Sequence, residues 1–183
     1  YKKTNLNDIN KFFEAKIATI YRDKDENFIP RTTGIDKKNS SIFGKISNNF
    51  SKNAQISYDF IADNDLNTLE YNSINTSINY KNFSTEFNFI EENGAIGDTN
   101  TLENTTTFQF NNENYISFNT RRNRKIDLTE YYNLVYEYKN DCLVAGIKYN
   151  KTYYEDRDLK PTENLLFSIT LSPITSFEQK IDQ

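Results

Sequence analysis

The 183 residues contain no histidine, methionine or tryptophan, and a single cysteine. Without imidazole there is no Ser-His or Cys-His nucleophile couple and no imidazole metal cluster. Outer-membrane proteases and phospholipases that rely on a histidine are excluded on the same ground, and no Gly-rich phosphate loop is present. The expectation is a protein without enzymatic activity and without a cofactor. Five glycines and three prolines leave the usual turn formers scarce, so Asn and Asp must close most turns. No apolar run approaches the roughly 18 to 20 residues of a membrane-crossing helix. The formal net charge of −4 and pI of about 5.0 argue against nucleic acid as a partner, because that binding needs a basic footprint. The chain starts at Tyr1 without Met, and the expectation is that processing or truncation removed its start.

What the chain does have is aromatic: 13 Tyr and 14 Phe, within a hydrophobic fraction of 36% and a mean hydropathy of −0.80. Low hydropathy leaves the membrane open, since a transmembrane strand needs only about 9 to 11 residues and alternate ones face lipid. From Phe12 to Pro173 apolar and polar residues alternate in short runs closed by Asn-, Asp- or Lys-rich turns. A period of two sends successive side chains to opposite faces of a strand. Leu165, Phe167, Ile169 and Leu171 share one face against Leu166, Ser168, Thr170 and Ser172. Leu143, Ala145, Ile147 and Tyr149 likewise oppose Val144, Gly146, Lys148 and Asn150.

The pattern predicts an all-β antiparallel up-and-down meander of about ten strands, with no domain boundary in 1–183. The strands are expected near Phe12–Arg22, Ser41–Ser51, Ala54–Ala62, Thr68–Tyr80, Phe83–Glu91, Thr105–Asn111, Asn114–Arg122, Leu128–Tyr138, Leu143–Tyr153 and Asn164–Pro173. Their connections alternate in length. Longer ones run Asp23–Asn39, Asp63–Asn67, Glu92–Asn104, Asn123–Asp127 and Glu155–Glu163; tight ones fall at Lys52-Asn53, Lys81-Asn82, Asn112-Glu113 and Lys139–Asp141. Short turns at one end and long loops at the other are the habit of an outer-membrane barrel. A transmembrane β-barrel is therefore expected, with a soluble sandwich or barrel as the rival.

Charge is kept off the oily rows, such as Phe13, Ala15 and Ile17, or Ile56, Tyr58 and Phe60. A Lys or Arg at the bilayer midplane costs roughly 2 to 4 kcal/mol, although a soluble sheet also keeps charge from its core. The opposite rows carry Glu14, Lys16, Lys45, Asp59, Glu86, Glu137 and Lys148; of these, Glu14, Lys16, Glu86, Glu137 and Lys148 are the candidates for lining a hydrated lumen. Tyr80, Tyr115, Tyr138 and Tyr153, near strand ends, suit an interfacial aromatic girdle or ordinary cross-strand packing. Asp23-x-Asp25-x-Asn27 and Asp63-x-Asp65-x-Asn67 begin like calcium loops but lack the Gly and Glu that an EF-hand requires, so no metal site is expected. Cys142 follows a tight turn. It is either paired with a cysteine elsewhere or a small reduced residue.

The stretch Tyr132–Leu171 contains E-Y-K-N-D-C-L running into a strand, a D-R-D-L-K-P loop and a final strand L-L-F-S-I-T-L. Upstream, Ile29-Pro30, Gly34-Ile35-Asp36 and Ser40-Ser41 form a long loop before a strand. In these features the chain resembles the LptD family, in its alphaproteobacterial form, whose members assemble lipopolysaccharide in the Gram-negative outer membrane. The resemblance implies that the chain is the C-terminal portion of a larger barrel, with upstream strands and a periplasmic domain absent. It implies lipopolysaccharide, membrane lipid, an LptE-like plug lipoprotein and, through the missing domain, the periplasmic Lpt bridge as partners. The strand of Asn164, Leu165, Phe167, Ile169, Leu171 and Pro173 would be one edge of a lateral seam. The resemblance further implies that Cys142 pairs with the N-terminal domain; Asp141 stands where many relatives have a second cysteine, so one bridge of two could form. The alternatives are a self-contained ten-stranded pore or adhesin, and a soluble β-domain that binds carbohydrate or protein.

Overall fold

A computed structural model describes residues 1–153, 160–171 and 175–182, the last of these in backbone alone. Pro173 and the loop residues Asp156, Arg157 and Asp158 lie outside the described residues. Twelve strands follow one another in the order of the chain, each beside its sequence neighbours. They are β1 (Lys2–Asn5), β2 (Asp8–Ala18), β3 (Ile42–Ser51), β4 (Ala54–Ala62), β5 (Leu69–Tyr80), β6 (Phe83–Glu92), β7 (Asn100–Gln109), β8 (Asn114–Asn123), β9 (Leu128–Lys139), β10 (Leu143–Thr152), β11 (Thr162–Leu171) and β12 (Thr175–Asp182). One 3-10 turn, Arg31–Thr33, is the only helical element among the described residues. The chain is an all-β antiparallel meander. It divides into two compact units, Tyr1–Ile78 with Phe87–Thr101, and Asn79–Glu86 with Leu102–Gln183.

Two strands exceed the sequence expectation. β1 is polar and does not alternate, yet pairs with β2 from Lys2↔Glu14 to Asn5↔Asp8. β12 pairs with β11 from Asn164↔Asp182 to Leu171↔Thr175. The expected seam strand, with Asn164, Leu165, Phe167, Ile169 and Leu171, is therefore not an edge: β10 is bonded along its other side. Other bounds also move. β7 begins at Asn100 rather than Thr105, because Asn100 and Asn104 stand where alternation calls for apolar residues and their amides bond to Glu91 and Thr85 instead. β2 ends at Ala18, after which pairing resumes through an isolated bridge, Tyr21↔Asn39. At the break the buried Ser40 hydroxyl accepts the Ile20 N–H at 2.7 Å.

Asn side chains close the turns. Asn111 Oδ1 accepts the N–H groups of Glu113 and Asn114 at 2.9 and 2.8 Å. Asn140 Oδ1 does the same for Cys142 and Leu143 at 3.0 and 2.8 Å. Lys81, in the β5–β6 turn, takes a positive φ of 50°. Longer connections follow β2, β4 and β6, at 19–41, 63–68 and 93–99, whereas the β7–β8 and β8–β9 connections, 110–113 and 124–127, are equal in length.

Among the described residues a conventional core is missing. Ala62 is the single buried hydrophobic residue among the described ones, while Ser40, Ser41, Ser47, Asn72, Ser73, Thr85 and Thr101 are buried polar residues. No helix is long and apolar enough to cross a membrane, which says nothing of strands.

Candidate functional site

The registers align the alternating residues into continuous rows. In the first unit Ala15, Ile46, Tyr58 and Ile74 lie opposite one another across β2 to β5. In the second, Ile116, Tyr136, Ile147 and Phe167 form one row and Phe118, Leu134, Tyr149 and Leu165 the next. Among the described residues these rows stay uncovered: Ile46 is 41% exposed, Ile74 39%, Leu134 40% and Phe167 39%. An ordinary monomer rarely exposes a contiguous apolar patch beyond a few hundred Å².

Several polar groups on the apolar face are satisfied within the sheet, although the buried Asn100 Oδ1 has no partner among the described residues. Thr85 and Thr106 hydroxyls share a hydrogen bond at 2.8 Å, and Thr106 donates to Asn104 Oδ1 at 3.1 Å. Asn104 Nδ2 donates to Thr85 Oγ1 and to the Glu86 carbonyl, both at 3.1 Å. The Thr120 hydroxyl donates to the Tyr131 carbonyl at 3.0 Å. Charges reach this face at both ends: Lys151 pairs with Glu163 and Arg122 with Asp127 at one, while Lys3, opposite Phe13, and Lys11, in phase with Phe13, lie near the tight β1–β2 turn. At the tight-turn end are aromatic groups with polar tips: Tyr136 donates to Asn114 Oδ1 at 2.6 Å, and Asn140 donates to the Tyr138 hydroxyl at 2.9 Å. Tyr115 does not belong with them. It stands opposite Glu137, so its row is the polar one.

The expected lumen residues fall in both units. Glu14 and Lys16 are brought together as an ion pair at 2.9 Å in the first. Across β2 to β5 the row Lys16, Lys45, Asp59 and Ser73 continues the charge, with Lys45 held by Asp59 at 3.0 Å. In the second unit Glu137 stands opposite Gly146, and Lys148 opposite Val135 and Leu166. Glu137 and Lys148 are thus diagonal neighbours on adjacent strands. Glu86 lies on β6.

The polar side is less uniform than alternation suggests. Ala18, Phe43, Ile61 and Tyr71 make an apolar row beside the charged one and floor a groove of about 410 Å³. The signal was available in the sequence as Phe43 and Tyr71 out of phase with their strands. A second hollow of about 540 Å³ lies among the loops, lined by Asp25, Arg31, Lys37, Asp63 and Glu70 among others. Two of its acids shape backbone, and Glu70 accepts from the Ser41 hydroxyl at 2.8 Å. Asp25 Oδ1 accepts the Lys38 N–H at 2.6 Å, and Asp63 Oδ1 accepts those of Asn67 and Thr68 at 2.7 and 3.1 Å. Cys142 is a free, exposed thiol on the β9–β10 turn.

These features define a class, an all-β antiparallel meander with an uncovered apolar face and a mixed polar face. No family model matches the chain, and neither any curated protein nor any solved structure does.

Proposed function

We propose that the chain is a non-enzymatic part of a transmembrane β-barrel that delivers lipopolysaccharide to the outer leaflet of the Gram-negative outer membrane, as the C-terminal portion of an LptD-like barrel. One observation carries the reading: large apolar residues in register stay uncovered among the described residues, and the Thr85, Asn104, Thr106 and Thr120 side chains among them bond within the sheet. In hydrocarbon every backbone and side-chain polar group must find an internal partner. Strands of 9 to 12 residues from β2 to β11 match the length needed to cross a bilayer obliquely. The polar rows, Glu14, Lys16, Glu86, Glu137 and Lys148 among them, would face water and the sugar-bearing head group. An LptE-like plug would occupy the lumen, and the periplasmic bridge would join through a domain outside this chain.

A lateral exit along β11 does not fit, since both its sides are hydrogen-bonded. Cys142, exposed on a tight turn, would form its bridge with a periplasmic cysteine; a Cys142→Ser change should then abolish a mobility shift of the parent protein on non-reducing gels. The class is tested by refolding. The chain should fold with detergent or lipid vesicles and resist protease there. A folded monomer recovered in buffer alone would overturn the membrane assignment. The transport role is tested in cells, where depletion of the parent protein should strip newly made lipopolysaccharide from the surface.

A further inference from the structure

Four asparagines of the second unit stand at one height on the polar face. Asn119 lies opposite Asn133, Asn133 opposite Asn150, and Asn150 opposite Asn164, so β8 to β11 each contribute one carboxamide. Directly opposed residues share a face, and with roughly 4.8 Å between strands the row spans on the order of 14 Å. Thr105 extends it onto β7, its hydroxyl accepting from Asn119 Nδ2 at 2.5 Å. All four asparagines are half-buried and lie within strands rather than in turns. Asn is depleted from strand interiors. An Asn-rich composition explains many asparagines, but it does not select one register on four successive strands.

A row of amides can exist to bond itself. This one does not close: Asn133 Oδ1 has no hydrogen-bond partner among the described residues. Charge stands to either side. Toward the loops Arg121 is held by Glu103 at 3.4 Å and by Glu130, whose carboxylate lies 2.8 Å from Nε at an angle too bent for a hydrogen bond. Toward the tight turns the next row is Ser117, Val135, Lys148 and Leu166. Tyr131, two residues from Asn133, supplies an aromatic ring on the same face. The track itself is neutral and rich in both donors and acceptors.

We propose that this row binds an uncharged saccharide chain laid across β8 to β11. Each carboxamide offers two donors and one acceptor, and each sugar hydroxyl offers both functions in return. Charged ligands gain little from such a surface, since the flanking Arg121 is already paired and Lys148 stands diagonal to Glu137. The inference rests on the geometry of the row and stands apart from the lipopolysaccharide reading.

The test is calorimetric titration of the refolded full chain in detergent with maltohexaose, a neutral probe, and with an oligogalacturonate of equal length. Binding of maltohexaose, weakened about tenfold or more in Asn133→Leu/Asn150→Leu, is the expected result, since about two hydrogen bonds are lost. Arg121→Gln/Glu130→Gln, which removes flanking charge and keeps the amides, should bind as the unmodified chain does. Unchanged affinity in the leucine variant, loss in the charge variant, or binding of the oligogalacturonate alone would each overturn the proposal. Should the leucine variant fail to fold, side-chain amide resonances of the unmodified chain decide: they should shift with maltohexaose, and static signals would sink the idea. Vesicle insertion, scored separately, keeps the two readings distinguishable. A chain that inserts but ignores the sugar loses the row alone, whereas one that binds the sugar and never inserts loses the membrane assignment alone.

Discussion

Gly44 is determined by the ring that lies over it. It stands opposite Phe60 in register, and a Cβ at this position would overlap the phenyl ring. Gly44→Ala should therefore displace Phe60, with a cost of about 1 to 3 kcal/mol typical of overpacking. Gly146 is the comparison, because its nearest atom is a Ser168 hydroxyl at 3.0 Å that can rotate away. Denaturant titration of both alanine variants checks this; equal loss of stability would refute the close approach. Asp63 gives a residue-scale effect of pH. The Thr68 N–H, and then that of Asn67, hold its carboxyl below the usual carboxylate range. A depressed folded-state value means that the loop is supported above the ordinary Asp value and released as pH falls through the lower one. Amide-exchange protection at Asn67 and Thr68 should be constant from neutrality to about pH 4 and drop below it. Asp63→Asn should show no such acid step; an acid step that survives in the variant would exclude Asp63 as its cause.

Strands that alternate cleanly were legible in advance because their residues agree with their neighbours. β10 and β11 bond without a register break over ten residues, from Leu143↔Leu171 to Thr152↔Thr162, as the oily rows of the sequence require. β7 was misread at its start because Asn104 and Thr106 lie on the apolar face, satisfied by Thr85 rather than by apolar character. The amide row was equally hidden, since only the register shows that four asparagines spaced 14, 17 and 14 residues apart stand side by side. β12 was missed because Pro173 reads as a stop, although pairing resumes at Thr175. Its presence predicts an asymmetry. In an antiparallel strand alternate residues bond to opposite neighbours, so removing residues 172–183 should expose every second amide of β11 to exchange. The other amides should stay protected by β10. Uniform protection along β11 in the shortened chain would mean that β12 does not pair with it.

For the molecule as a whole, the question is which solvent each face meets. Burying apolar surface stabilises by about 25 cal/mol per Å², and here the strands leave that surface uncovered while almost no hydrophobic side chain is buried. Water would make such a sheet associate through its apolar side. Hydrocarbon would solvate it, with Lys151–Glu163 and Arg122–Asp127 marking one boundary and Tyr136 and Tyr138 near the other. β9 is the best ruler, since it pairs on both sides over almost its full length. In a Cys142→Ser background, single cysteines introduced at successive positions from Tyr131 to Glu137 can be spin-labelled and the chain refolded into vesicles. Labels replacing Tyr132, Leu134 and Tyr136 should be relaxed by oxygen, which partitions into hydrocarbon. Labels replacing Tyr131, Asn133, Val135 and Glu137 should respond to a water-soluble nickel chelate. A period of two in that ratio is the expected outcome. Equal access of the chelate to all seven positions would place both faces in water, and the assignment to a membrane would be lost.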